Sequence, residues 1–384
     1  MSDLLSIAAR LDDPIVWLNG DDGMVAAGEV ARVEVGVGED RFRRAAADLQ
    51  EIFSKLGGRA FAFGSFAFDH RSDDSVLVVP AVVWGRAGGR SWVSRAAGAD
   101  PESLLGDPPA PPADRVRYGG STISELAWLD TVAEAIRRIE AGAVEKVVLA
   151  RDVLVWSEQP FDVPLLLRRL ARRFPGCFTF SCDGMIGATP ELLVARSGDD
   201  VRSVVLAGTI SRGTGRREDE RLAGELMTSE KDLAEHRFAV ESVTEPLGRV
   251  CSDLKVEGPL LLRLANAQHI STRVGGRLER DASALDLAGL LHPTAAVCGT
   301  PRDVALETIR ELEGMDRGRY SGPVGWVDSA GDGEWGIALR CGGFDGTRGR
   351  LFAGNGIVSG SEPEAELEET RVKLRAMMSA LEGT

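Results

Sequence analysis

The sequence predicts an α+β fold, and three observations lead there. Apolar runs with strand character recur along the chain; helical patterns with three- and four-residue spacing stand among them; and neither a regular β–α alternation nor an internal repeat orders the two. A length of 384 residues admits two or three domains, or one large α+β or barrel domain.

The first residues, "MSDLLSIAARLDDPIVW", carry acids and no long apolar core, so they read as neither signal peptide nor transit peptide. No run approaches the ~18 apolar residues that a membrane span needs. A cytoplasmic protein is expected. "GGRAFAFGSFAFD" and "SVLVVPAVVWG" then alternate or run apolar as strands do. Residues 98–120, rich in Pro, Gly and Asp, predict a linker or long surface connection. Ser124 is placed to cap a helix with apolar positions Leu129, Val132, Ala133, Ile136 and Ile139, ending before Gly142. "VEKVVLAR" (144–151) follows as a strand, with Lys146, Val148 and Ala150 on one face and Val147, Leu149 and Arg151 on the other. Beyond it, strands are predicted near 146–156, 177–188, 202–208, 335–342 and 350–358, and helices near 164–173, 219–249, 301–313 and 363–381.

Composition narrows the function. At 43% hydrophobic and 27% charged the chain is an ordinary globular one, and a net charge of −14 argues against a general nucleic-acid binder. An anionic small substrate is still allowed, because a pocket can differ in sign from the whole, and a cation is then a natural third party. The five cysteines are scattered and form no C-x-x-C pair, which fits a reducing compartment and no zinc framework.

Lys146 is the first functional candidate. A lysine on a strand commonly sits at an edge and extends its ammonium to water; held in a partly apolar cleft, it can serve as a general base. Acids on two separate helices are candidate partners. Asp232 and Glu235 are three residues apart, and Glu366, Glu369 and Lys373 follow at i, i+3 and i+7, so each set shares a helical face. Either set alone is an ordinary charged surface. Facing each other across a cleft, they would form an oxygen-rich site suited to Mg²⁺.

"GNGIVSG" (354–360) follows a strand and precedes a helix, but its spacing is G-x-G-x-x-x-G and too little chain follows for a dinucleotide unit. What survives is close backbone approach at glycine and a helix N-terminus able to meet a carboxylate. The sequence lacks G-x-x-x-x-G-K-[ST], H-E-x-x-H and G-x-S-x-G, and His236 beside Glu235 reads as a surface or packed histidine.

"VEKVVLAR", "GATPELLVAR", "LAGT", "SEKDLAEH", "QHISTRV", "LHPTAAVCGTPR", "YSGPVGW", "ALRC" and "AGNGIVSGSEPEAELEETRVKL" resemble, in this order, the motif series of the chorismate-utilising enzymes. The match covers about 118–381, with weaker support from "AFGSFAFD" in residues 1–117. The resemblance implies one domain over 1–384, four layers α/β/β/α with two orthogonally packed, mainly antiparallel sheets, and residues 98–120 as an internal connection.

It also implies chemistry. The branch most resembled converts chorismate to isochorismate for menaquinone or siderophore synthesis: water adds at ring C2 while the C4 hydroxyl leaves. Lys146 matches the general base and Glu191 the general acid. Glu235 and Glu369 match Mg²⁺ ligands, with Asp232 and Glu366 holding metal-bound waters. Tyr320, Arg340, Lys373 and the backbone of Gly354 and Gly356 match positions around the substrate carboxylates; Gly208, Thr209 and His269 match others lining the pocket.

The anthranilate branch has glutamine where Lys146 stands, and the aminodeoxychorismate branch a lysine where Ala207 stands, so both are disfavoured. Salicylate synthases, which go on to eliminate pyruvate, are the alternative, and "HPTAAVCGTP" looks more like the non-eliminating branch. A non-catalytic binding protein of the same fold is the distant one. A monomer acting on a small molecule, with neither nucleic acid nor membrane as partner, is expected.

Overall fold

The computed structural model of the chain describes residues 3–107, 116–265 and 267–383. The middle of the predicted connection, 108–115, lies outside the described residues.

Among the described residues two sheets form, one of eleven strands and one of nine, and their pairings are antiparallel. Between them lies an apolar layer to which the first sheet contributes Trp17, Met24 and Phe180 and the second Phe61, Phe63 and Val324. Helices Leu4–Ala8, Val163–Arg173 and Pro363–Glu382 cover the outer face of the larger sheet. Arg41–Leu56, Glu230–Leu247 and Ala284–Leu291 cover the smaller one. The layer order is therefore helices, sheet, sheet, helices, as predicted. Strands before residue 100 enter both sheets: Ile15–Asn19 and Val82–Ala87 the larger, Phe61–Ser65 and Val76–Val79 the smaller.

The strand Lys146–Trp156 forms as expected, and its alternation is visible in its neighbours. Val147 and Leu149 join one core cluster, while Ala150 faces the layer between the sheets. Along one edge it pairs throughout with Arg348–Ile357, from Val147 opposite Ile357 to Trp156 opposite Arg348. The helix before it runs Glu125–Glu140, with Ser124 accepting from the Ala127 N–H as a cap. Its buried face centres on Trp128, Val132, Ala135 and Ile139, rotated slightly from the predicted one because the large indole takes the core.

Three predicted elements are each two. The run 177–188 is a hairpin, Phe178–Cys182 with Met185–Thr189, turned by Asp183 and Gly184 at positive φ. Helix 219–249 is Arg216–Thr228 and Glu230–Leu247, broken where Ser229 caps the second helix through the Asp232 N–H. The run 335–342 splits into Gly333–Ile337 and Cys341–Asp345, with Arg340 at φ 48° between them. The glycines of "GNG" do not form a loop after a strand: Gly354 and Gly356 are inside Arg348–Ile357.

Candidate active site

A cleft of about 890 Å³, counting its mouth, opens where strands of both sheets meet the helices Glu230–Leu247 and Pro363–Glu382. Glu191, Gly208, Thr209, Asp232, Glu235, His269, Tyr320, Arg340, Gly354, Gly356, Glu366, Glu369 and Lys373 all line it. Residues far apart in sequence thus converge on one space of ligand size.

Lys146 is the exception. It is 0% exposed and lies directly behind the wall, where a Cβ added to Gly356 would come within 2.9 Å of its Cε and 2.1 Å of Glu235 Oε1. The missing side chain at Gly356 is therefore what lets Lys146 and Glu235 pack against the cleft wall. Lys146 Nζ stands 3.2 Å from Glu235 Oε1, an ion pair whose geometry falls short of a hydrogen bond. The expectation of a lysine at a strand edge reaching water does not hold, because both edges of its strand are covered at that point.

Glu191 follows the strand Met185–Thr189 and is buried. Burial pushes its carboxyl up to about 8, against a hydrogen bond from the Leu206 backbone and the charges of Lys146 and Lys373. At neutral pH the carboxyl is therefore mostly protonated.

Arg340 and His269 form the opposite kind of group, a fixed donor. The Arg340 guanidinium donates to His269 Nε2 at 2.5 Å, and His269 Nδ1 lies 3.0 Å from Thr209 Oγ1. Because arginine has no acceptor, the His269 proton belongs on Nδ1. Burial, then Arg340 and Lys373, hold this imidazole well below its usual range, so it stays neutral. Arg340 Nη1 is buried without a hydrogen-bond partner among the described residues, an unspent donor on the wall of the cleft. Arg340 and Ser321 both take positive φ (48° and 63°), a conformation that non-glycine residues rarely adopt and that here sits at the cleft. Tyr320 stacks on Phe352 with ring centroids 5.0 Å apart.

The two predicted helical faces meet. Asp232 and Glu235 come from one helix, Glu366 and Glu369 from the other. Burial, then in turn neighbouring carboxylates, raise Asp232; burial also raises Glu369, against Lys373. Three lysines answer three of these acids: Lys146 with Glu235 at 3.2 Å, Lys231 with Glu366 at 2.9 Å and Lys373 with Glu369 at 2.8 Å. Lys373 donates as well to the Gly354 carbonyl and Asn355 Oδ1. As they stand, no three ligand-type side chains among the described residues enclose an ion. In chemistry the set suits a hard cation, being all carboxylate oxygen, and three of its members already pair with ammonium groups.

Sequence reasoning missed Lys231, Ser321 and Phe352, which also line the cleft. Lys231 had a signal, lying four residues before Glu235 on the same helix; Ser321 and Phe352 had none. His236 is packed, 2.7 Å from Thr272 Oγ1.

Residues 15–382 match the family model described as "Chorismate binding enzyme". The chain belongs to the chorismate-binding enzyme family. It is 40% identical over 261 residues to the Bacillus subtilis isochorismate synthase MenF, covering 67% of this chain and 55% of that protein. To the isochorismate synthase DhbC of the same organism it is 42% identical over 263 residues, covering 65% of this chain and 66% of the relative. The match thus spans between half and two thirds of those relatives' lengths. Among solved structures, a putative 2,3-dihydroxybenzoate-specific isochorismate synthase, DhbC, from Bacillus anthracis superposes with TM-score 0.84 at 33% identity, over 99% of both chains. The menaquinone-specific isochorismate synthase MenF of Escherichia coli gives TM-score 0.84 at 26% identity, over 99% of this chain and 91% of that one.

Proposed function

We propose that the protein is an isochorismate synthase, isomerising chorismate to isochorismate in a magnesium-dependent reaction that feeds menaquinone or siderophore synthesis. The observation that carries this is one cleft holding a carboxyl kept protonated at neutral pH, Glu191, with a buried lysine, Lys146, packed against its wall at Gly356. The relatives named above support the same reaction.

With Lys146 entering the step as the free amine, its ammonium proton passed to solvent, a water beside Gly356 loses a proton to Nζ as its oxygen bonds to ring C2. The ring double bonds shift, the C4–oxygen bond breaks, and Glu191 gives its proton to the departing hydroxyl, so that water is consumed and released in equal number. Arg340 Nη1 meets a substrate carboxylate, and its bond to His269 fixes the angle at which it does so. Glu235 and Glu369 would hold the magnesium ion, and Asp232 and Glu366 its waters. When bound, that ion supplies positive charge for the ring carboxylate as electron density moves through the ring.

Incubation of the purified chain with chorismate and Mg²⁺, with products separated and weighed by mass spectrometry, tests the assignment. Isochorismate is expected. Unchanged chorismate would sink the proposal, and stoichiometric salicylate with pyruvate would replace it with the eliminating reaction.

A further inference from the structure

The strand that carries Lys146 is not paired to another strand along the whole of its second edge. Residues 146 and 147 pair with Gly299 and Thr300, and the Val148 N–H donates to the Cys298 carbonyl. Farther on, Leu154 bonds with Gly119 and Gly120, and Trp156 and Val155 pair with Arg117 and Tyr118. Between these lies a gap at Val148–Ala150, in the buried interior, where a free carbonyl or N–H is costly.

Two side chains close it. Glu313 Oε1 accepts from the Ala150 N–H at 2.8 Å, and Arg317 Nη2 donates to the Val148 carbonyl at 2.7 Å. The two are a buried ion pair four residues apart, just past the helix Arg302–Leu312, with Arg317 Nε donating to Glu313 Oε2 at 2.9 Å. Arg317 Nη1 donates to the Val297 carbonyl at 2.9 Å, in a segment that lines the cleft, and the guanidinium lies 4.1 Å from the centroid of the Phe68 ring. The Arg317 carbonyl accepts from the Tyr320 N–H at 3.1 Å. One charged pair therefore stands in for a strand and ties together the Lys146 strand, the Val297 wall and Tyr320.

Neither residue lines the cleft. A buried pair of ions is a poor device for stability alone, since apolar residues of similar size often do as well. What an apolar pair could not do is present one acceptor and two donors to three backbone groups at fixed positions. We infer that Glu313 and Arg317 are positioning residues for the reaction, holding Lys146 in register with Gly356 and the Val297 wall; the inference rests on the isochorismate synthase assignment.

Arg317→Lys keeps the charge and loses the fork, and Glu313→Gln keeps the shape, loses the ion pair and leaves only a weaker, unanchored acceptor for Ala150. Each folded variant is expected to lose about tenfold or more in kcat, with the KM for chorismate within about threefold of the parent. Hydrogen exchange at the Ala150 amide should quicken in both. Glu313→Gln provides the answer if Arg317→Lys fails to fold. Parental kcat in a folded variant overturns the inference, as does a loss confined to KM, or Ala150 exchange unchanged in both. A parent chain that leaves chorismate untouched overturns the assignment itself, a result distinct from any of these.

Discussion

Lys146 Nζ stands 3.2 Å from Glu235 Oε1, and the contact exists because residue 356 has no side chain. A charge fully enclosed in this way has little reason to persist unless the pair does something. Lys146→Ala is expected to lower kcat by about 10² or more while circular dichroism and melting show a folded protein. Near-parental turnover would remove Lys146 from the chemistry.

Gly356→Ala should disturb the same pair. The added methyl meets Glu235 Oε1 at 2.1 Å and Lys146 Cε at 2.9 Å, so the pair must part or the strand must move. A fall in kcat of about tenfold or more is expected, beside a neutral Gly224→Ala, which meets nothing within 4 Å and sits in a helix. Equal activity in the two variants would show that the missing side chain at 356 has no role.

Glu191 sets a pH dependence in two observables. Its folded pKa of about 8 lies above the ordinary glutamate value of 4.5, so the folded protein keeps a proton that the unfolded chain has lost between those limits. Its contribution to stability is complete below the lower value and is lost as pH rises toward 8. Glu191→Gln should therefore melt at increasingly higher temperature relative to the parent as pH goes from 5 to 8. Turnover of the parent should fall above pH about 8, and Glu191→Gln should be nearly inactive throughout. A melting difference that does not move with pH would mean that the carboxyl is ionised.

Magnesium binding can be read without turnover. Added Mg²⁺ should raise the melting temperature of the parent, and Glu235→Ala and Glu369→Ala should each abolish most of that rise; excess chelator should stop turnover of chorismate. A parent whose melting ignores Mg²⁺ would leave the three lysines as the permanent partners of these acids.

Much of the cleft-bearing half was legible because its residues are constrained twice. The strand of Lys146 must be apolar on both faces, and the paired acids must recur at helical spacing, so pattern and motif point to the same positions. The long hairpin of Cys251–Arg263 with Ala267–Leu278 was not legible. Its first strand is at the sheet edge, exposed at Val256 and Leu260 and interrupted by Gly258 and Pro259, so the alternation that marks a half-buried strand is missing. Ser321 and Phe352 reach the cleft through tertiary placement alone. The seal over Lys146 was hidden for the same reason, since it depends on which strands close over residue 146.

The pairing of Lys146–Trp156 with Arg348–Ile357 also has a kinetic meaning. Strands so distant in sequence can meet only after most of the chain has collapsed, and such long loops make for slow folding. The cleft lies along this seam, and Glu366, Glu369 and Lys373 follow it on the next helix. During renaturation the chain should regain most of its ellipticity before it regains any turnover, and catalytic competence should emerge together with the last phase of assembly.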